Sequence, residues 1–172
     1  ESVGIAKKLE QEGIAYFAVA YVAEGITLRK AGIKTPILVL HPQIIDVEAC
    51  LQYQLEPNIY SFKLLEIFQS QLKAKGKKLF KIHLKFNTGL NRLGFKRTDI
   101  SHLIAQIKQD DTLKIQSVFS HLVASEDHDL KAFTLGQIAQ YTEIVGDIQK
   151  EITYPFIRHL ANTSGTLIPS GV

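Results

Sequence analysis

A chain of 172 residues, 45% hydrophobic and 22% charged, has the length and balance of one globular soluble domain with a substantial core. A net charge of +3 is too weak to mark a nucleic-acid binder, and the lysines at 73, 75, 77, 78 and 81 lack the interleaved aromatics of a stacking platform. The lone Cys50 excludes an internal disulfide and a cysteine-rich zinc site, and no apolar run reaches the ~18 residues of a membrane span.

Residues 3–12 have the spacing of an amphipathic helix stopped by Gly13. The chain holds no methionine and ends on Ile168-Pro-Ser-Gly-Val172 without a closing element, so both ends read as cuts. The expectation is a single domain over 1–172 that is an internal fragment of a longer protein. With no signal peptide in view, a reducing cytoplasmic setting is expected.

Tyr16–Ala20 is a short apolar run suited to a strand buried on both faces. A helix over Ala23–Ala31 follows, with Glu24 near its start, Arg29 and Lys30 near its end, and Gly32 as its stop. Pro36–Leu40 is a second buried run, Ile44–Gln52 a short helix, and Asn58–Ser61 a weak strand. Phe62–Ala74 has helical spacing and ends before Gly76. Phe80–Asn87 alternates, with Phe80, Ile82, Leu84 and Phe86 on one face and Lys81, His83, Lys85 and Asn87 on the other. A helix from Thr98, as N-cap, to Lys108 comes next, then a strand over Ile115–Val123, a long helix over Thr134–Lys150, and a last strand over Phe156–Ala161.

Six strands separated by helices favour a mostly parallel sheet. No glycine-rich phosphate turn follows the first strand, which counts against an open nucleotide-binding sheet. Reactive side chains fall at the ends of three successive strands: Lys85, Asn87 and Arg92, then His121, then His159, Asn162 and Thr163. Barrels build their sites from the C-terminal ends of several strands. The predicted fold class is therefore α/β, a partial (β/α)8 TIM-type barrel of about six strand–helix units without its first and last strands.

The chemistry concentrates in Lys85-Phe-Asn-Thr-Gly-Leu-Asn-Arg-Leu-Gly94. Gly89 permits a sharp turn, and Arg92 offers a charged fork suited to a carboxylate or phenolate. Lys85, facing inward, is costly to bury as a cation unless it is paired or modified. Asn162-Thr163-Ser164-Gly165 offers a hydroxyl and backbone N–H groups to a phosphate, or an N-cap to a following helix. The acidic run Glu126-Asp-His-Asp129 reads as a solvated turn and not as a metal site, because adjacent loop residues do not converge on one ion.

These residues resemble the signature turn of alanine racemase, the pyridoxal-phosphate enzyme built on a barrel plus a C-terminal β domain. Phe17–Gly32 with Pro36–Leu40 resembles the family's second and third strand units. Ser120-His121-Leu122 with Gln137 resembles its sixth unit, and His159-Leu-Ala-Asn-Thr-Ser164 its phosphate-side strand. The resemblance implies pyridoxal 5'-phosphate as cofactor and a small amino acid as substrate. Arg92 would contact the cofactor's phenolic oxygen and the substrate carboxylate, and Thr163, with Asn162 and His121, would bind the cofactor. Lys85 would be the lysine found carbamylated in many members, with Asn87 and His159 in the surrounding hydrogen-bond network.

Asn87 stands where the family commonly has aspartate, and Leu90 where methionine is common. The family's Schiff-base lysine, its tyrosine base and its C-terminal domain have no counterpart here, and Lys7 and Lys8 sit in a helical pattern. The implied parent is a cytoplasmic homodimer that interconverts L- and D-alanine for cell-wall precursor synthesis. The chain alone is expected to be inactive and, with open sheet edges, prone to self-association. Other readings are a pyridoxal-phosphate racemase or D-amino-acid aldolase of different specificity, and a non-catalytic barrel protein that manages the cofactor's supply.

Overall fold

The computed structural model describes residues 2–127 and 129–167. It is an α/β fold with six parallel strands in the order β1-β2-β3-β4-β5-β6: β1 Phe17–Val19, β2 Ile37–Val39, β3 Glu56–Ile59, β4 Phe80–Lys85, β5 Leu113–Phe119 and β6 Ile157–His159. The helices are α1 Ser2–Gln11, α2 Val22–Lys30, α3 Val47–Gln52, α4 Phe62–Ala74, α5 Ile100–Ile107 and α6 Lys131–Glu151. Each strand's neighbour is the next strand in sequence, reached through a helix, which is the order of consecutive units in a (β/α)8 barrel.

The chain divides into two compact units. The first comprises Glu1–Asn58, Lys63–His83 and Thr112–Lys114; the second comprises Ile59–Phe62, Leu84–Asp111 and Ile115–Val172. In the first, Ile37, Val39, Leu55, Leu65, Phe68 and Leu72 lose all contact with solvent. Arg29 organises this unit. Its guanidinium donates to the carbonyls of Ile33 (2.9 Å), Thr35 (2.8 Å), Tyr53 (3.1 Å) and Gln54 (3.1 Å), so one side chain from the end of α2 fastens the turns before β2 and β3. In the second unit Leu84, Phe86, Leu103, Ile115, Val118, Ile144 and Ile148 are fully buried.

Three helix starts share one device. Glu24, Asp46 and Asp99 each accept the backbone N–H three residues earlier, from Tyr21 (2.9 Å), Gln43 (2.9 Å) and Lys96 (2.7 Å). Each closes half of a capping box. This corrects the expectation at Thr98: a 3-10 turn at Arg97–Asp99 precedes α5, and the acid at 99 does the capping.

Other boundaries move as well. β3 begins two residues before the expected strand, because Glu56 and Pro57 are both buried in it. β4 stops at Lys85, and Phe86 continues only as a bridge to Phe95. β5 ends at Phe119, which leaves His121 on the loop beyond the strand instead of at its end. β6 is three residues long, shorter than expected at both ends. His128 and Ile168–Val172 lie outside the described residues.

Candidate functional site

The predicted site residues all fall in the second unit, Lys85 and His159 as the last residues of β4 and β6 and the others on the segments that follow β4, β5 and β6. The turn after β4 is organised by Asn87. Its Oδ1 accepts the N–H of Gly89 (3.1 Å) and of Asn91 (2.9 Å), while its Nδ2 donates to Asn91 Oδ1 (2.9 Å). An aspartate could accept the same two amides but could not make that donation. Asparagine therefore suits this turn in its own right.

Two glycines set the turn's path. Gly89 has φ +137°, and a Cβ there would lie 2.9 Å from Phe133 Cζ and 3.2 Å from Gln137 Nε2. Gly94 has φ +124°, and a Cβ there would lie within 2.8–2.9 Å of backbone atoms of Lys85, Phe86 and Asn87. At that point the chain returns to the strand it left. Phe95 N–H donates to Lys85 O, and Asn87 N–H to Phe95 O, both at 2.9 Å. Arg92 rides between these two anchor points, exposed to solvent.

Lys85 is 6% exposed, and no carboxylate pairs with it among the described residues. Its Nζ lies 5.8 Å from the centroid of the Phe119 ring. Burial, and then the charge of Arg92, hold its pKa below the ordinary lysine value. His121 is pushed the same way by partial desolvation and by the charges of Lys85 and Arg92. The three groups thus feel one another. Lys85 and Arg92 form a positive pair that an anion would relieve, with His121 held toward its neutral form beside them.

His159 joins through Phe119, whose ring it stacks on, and its Nε2 lies 3.1 Å from Ser117 Oγ. Asn162 serves as scaffold: its Oδ1 accepts from Ser125 Oγ (2.7 Å) and Gly165 N–H (2.8 Å), and its Nδ2 donates to Leu122 O (3.3 Å). These bonds tie the turn carrying Thr163 to the residue next to His121. Thr163 itself is exposed, with its carbonyl accepting from Thr166 Oγ1 (2.6 Å) ahead of the 3-10 turn at Gly165–Leu167.

Sequence reasoning gave no role to Phe119, and it quoted the buried hydroxyls Thr88 and Ser120 only inside motifs. Those hydroxyls are 2.8 Å apart, and Ser120 Oγ also donates to Phe86 O at 2.8 Å, so the turn after β4 and the loop after β5 are bonded to each other. It also missed a polar cluster in the first unit. There the Glu56 carboxylate accepts from Tyr16 Oη (2.8 Å) and lies 3.0 Å from His83 Nε2, with Lys81 Nζ at 3.5 Å. A glutamate at the start of a short strand was the available signal. No group of side chains among the described residues is arranged to hold a metal ion, and no described helix is long and apolar enough to cross a membrane.

Comparison with known proteins agrees with this architecture. The family model for the alanine racemase N-terminal domain matches residues 1–171. The chain is 32% identical over 167 residues to the alanine racemase of Carboxydothermus hydrogenoformans, covering 96% of this chain and 45% of that protein. It is 30% identical over 169 residues to that of Citrifermentans bemidjiense, covering 95% and 44%. Among solved structures, alanine racemase of Clostridium difficile superposes with a TM-score of 0.86 at 26% identity, over 95% of this chain and 42% of that one. The chain therefore spans less than half the length of these relatives. It belongs to the alanine racemase N-terminal domain family.

Proposed function

We propose that this chain is the cofactor- and carboxylate-binding part of an alanine racemase whose parent interconverts L- and D-alanine with pyridoxal 5'-phosphate, in the cytoplasm, as a homodimer supplying a cell-wall precursor. The observation that carries this reading is the cation pair of buried Lys85 and Arg92, with His121 beside it and no carboxylate partner among the described residues. The cofactor's phosphate and phenolic oxygen and the substrate's carboxylate are anionic groups, so the donor set fits them. When bound, pyridoxal phosphate supplies the electron sink that lets an amino acid's Cα proton leave.

The chain's own residues bind and orient. Arg92 keeps its charge at any working pH and presents parallel N–H donors to the substrate carboxylate and the cofactor's phenolic oxygen. Lys85, depressed by burial beside Arg92, is the candidate for carbamylation, which would place an anion against that guanidinium. His121, biased toward its neutral form, offers a hydrogen bond to the cofactor without adding to the charge. Thr163 presents its hydroxyl to the phosphate from the turn that Asn162 holds. His159 keeps Phe119 and Ser117 in register beneath. The lysine that bonds the cofactor and the tyrosine base are proposed to come from other segments of the parent.

Pyridoxal phosphate titrated into the chain should bind and shift the cofactor's absorbance, and Arg92→Ala should weaken that binding about tenfold or more. Equal binding by both proteins would sink the assignment. D-alanine appearing from L-alanine with the chain alone would contradict its division from the catalytic bases.

A further inference from the structure

Gln137 is 1% exposed, an uncharged amide in the inward stripe of α6 formed by Thr134, Gln137, Tyr141, Ile144 and Ile148. It grips the loop after β5 from both sides of Leu122: its Oε1 accepts Val123 N–H (3.0 Å), and its Nε2 donates to His121 O (3.3 Å). The same Nε2 would lie 3.2 Å from a Cβ at Gly89, so the amide also packs against the backbone of the turn that carries Arg92. One side chain therefore touches both segments of the site, and an apolar residue of equal size could not bond both the N–H and the C=O of the loop.

We infer that Gln137 is the positioning residue of this site, holding the His121 loop against the Gly89 turn so that the imidazole stays beside Lys85 and Arg92. This deepens the proposed function and rests on it for the identity of the ligand, but the clamp itself is a property of the free chain. Leu122, between the two gripped residues, is bonded through its carbonyl to Asn162, so the grip extends to the turn carrying Thr163. The Thr88–Ser120 hydroxyl pair ties the same two segments at the residue before His121. Gln137 sets the loop's first residues.

The test is an NMR titration of the His121 imidazole in the wild-type chain and in Gln137→Met, with Thr134→Val as control. Thr134 bonds Ala124 O (3.2 Å) from one turn earlier on the same helix, so its loss disturbs the loop without releasing His121. Gln137→Met should free the imidazole from the two cations and raise its proton affinity about threefold, while Thr134→Val leaves the titration in place. An unmoved titration in Gln137→Met, or an equal shift in Thr134→Val, overturns the inference. If Gln137→Met does not fold, Gln137→Asn decides by amide exchange, since its shortened amide no longer reaches the Val123 N–H. Exchange at His121–Val123 about tenfold faster with α6 still protected supports the clamp, and unchanged protection overturns it. Failure of the wild-type chain to bind pyridoxal phosphate counts against the proposed function, whereas the His121 titration alone judges the clamp.

Discussion

The rings of Phe119 and His159 stack with centroids 4.6 Å apart and planes within 8° of parallel. Phe119 also lies under the Lys85 ammonium, so a single aromatic at the end of β5 supports groups contributed by β4 and β6. Replacing it with leucine removes both contacts and leaves a partly filled space. Phe119→Leu should cost about 1–2 kcal/mol of stability. A lower urea midpoint with an unchanged slope would show it, and a midpoint equal to wild type would refute it.

Lys85 should destabilise the free chain. Its folded pKa lies below the ordinary value, so just below that ordinary value of about 10.4 the unfolded state holds the proton more readily. Stability must then rise with pH through that window. Lys85→Met should raise stability by about 1 kcal/mol at neutral pH and flatten the rise toward pH 10. The same variant should weaken pyridoxal phosphate binding. Urea midpoints measured across the alkaline range, with one binding titration, test both halves.

Glu56 has the opposite sign. Burial works to raise its pKa, but hydrogen bonds from His83 and Tyr16 and the charges of His83 and Lys81 together outweigh it, and the carboxyl sits below the ordinary range. Its contribution is present above the unfolded value of about 4.3 and is lost as the pH falls through the lower folded value. Glu56→Gln should cost about 1–3 kcal/mol at pH 7, and the difference from wild type should shrink on acidification below pH ~4. A difference independent of pH would show that charge plays no part.

Arg29 donates to four carbonyls from one planar fork, a geometry no ammonium reproduces. Arg29→Lys should cost about 1–2 kcal/mol despite keeping the charge. Denaturation that matches wild type would mean that only the charge matters at this position.

The succession of strands and helices was legible because buried apolar runs and amphipathic stripes differ in period. The places where reading failed are those where distant partners change the rules. β3 opens on Glu56 and Pro57, poor strand formers by composition, and the glutamate is acceptable there only through Tyr16 and His83, which are 40 and 27 residues away. At the start of α5 a threonine drew attention, while the acid one position later capped the turn.

Within the site, Lys85, Arg92 and His121 stood out because charge in an apolar setting is conspicuous. Phe119 was hidden by looking like any core aromatic, and its importance depends on which two side chains face it. Asn87 read as a departure from the family's usual acid. Its three bonds within the turn show what the amide provides here.

The crossing at Gly94 has a practical corollary. Because the peptide leaving Arg92 is stitched straight back to the strand that delivered it, the guanidinium is borne on a closed loop of main chain and cannot be repositioned by gradual loop drift. Efforts to retune what this arginine grips should vary the side chains bordering it, such as Leu90 and Leu93, and leave residue 94 alone. Any larger group there would collide with backbone that has nowhere to retreat.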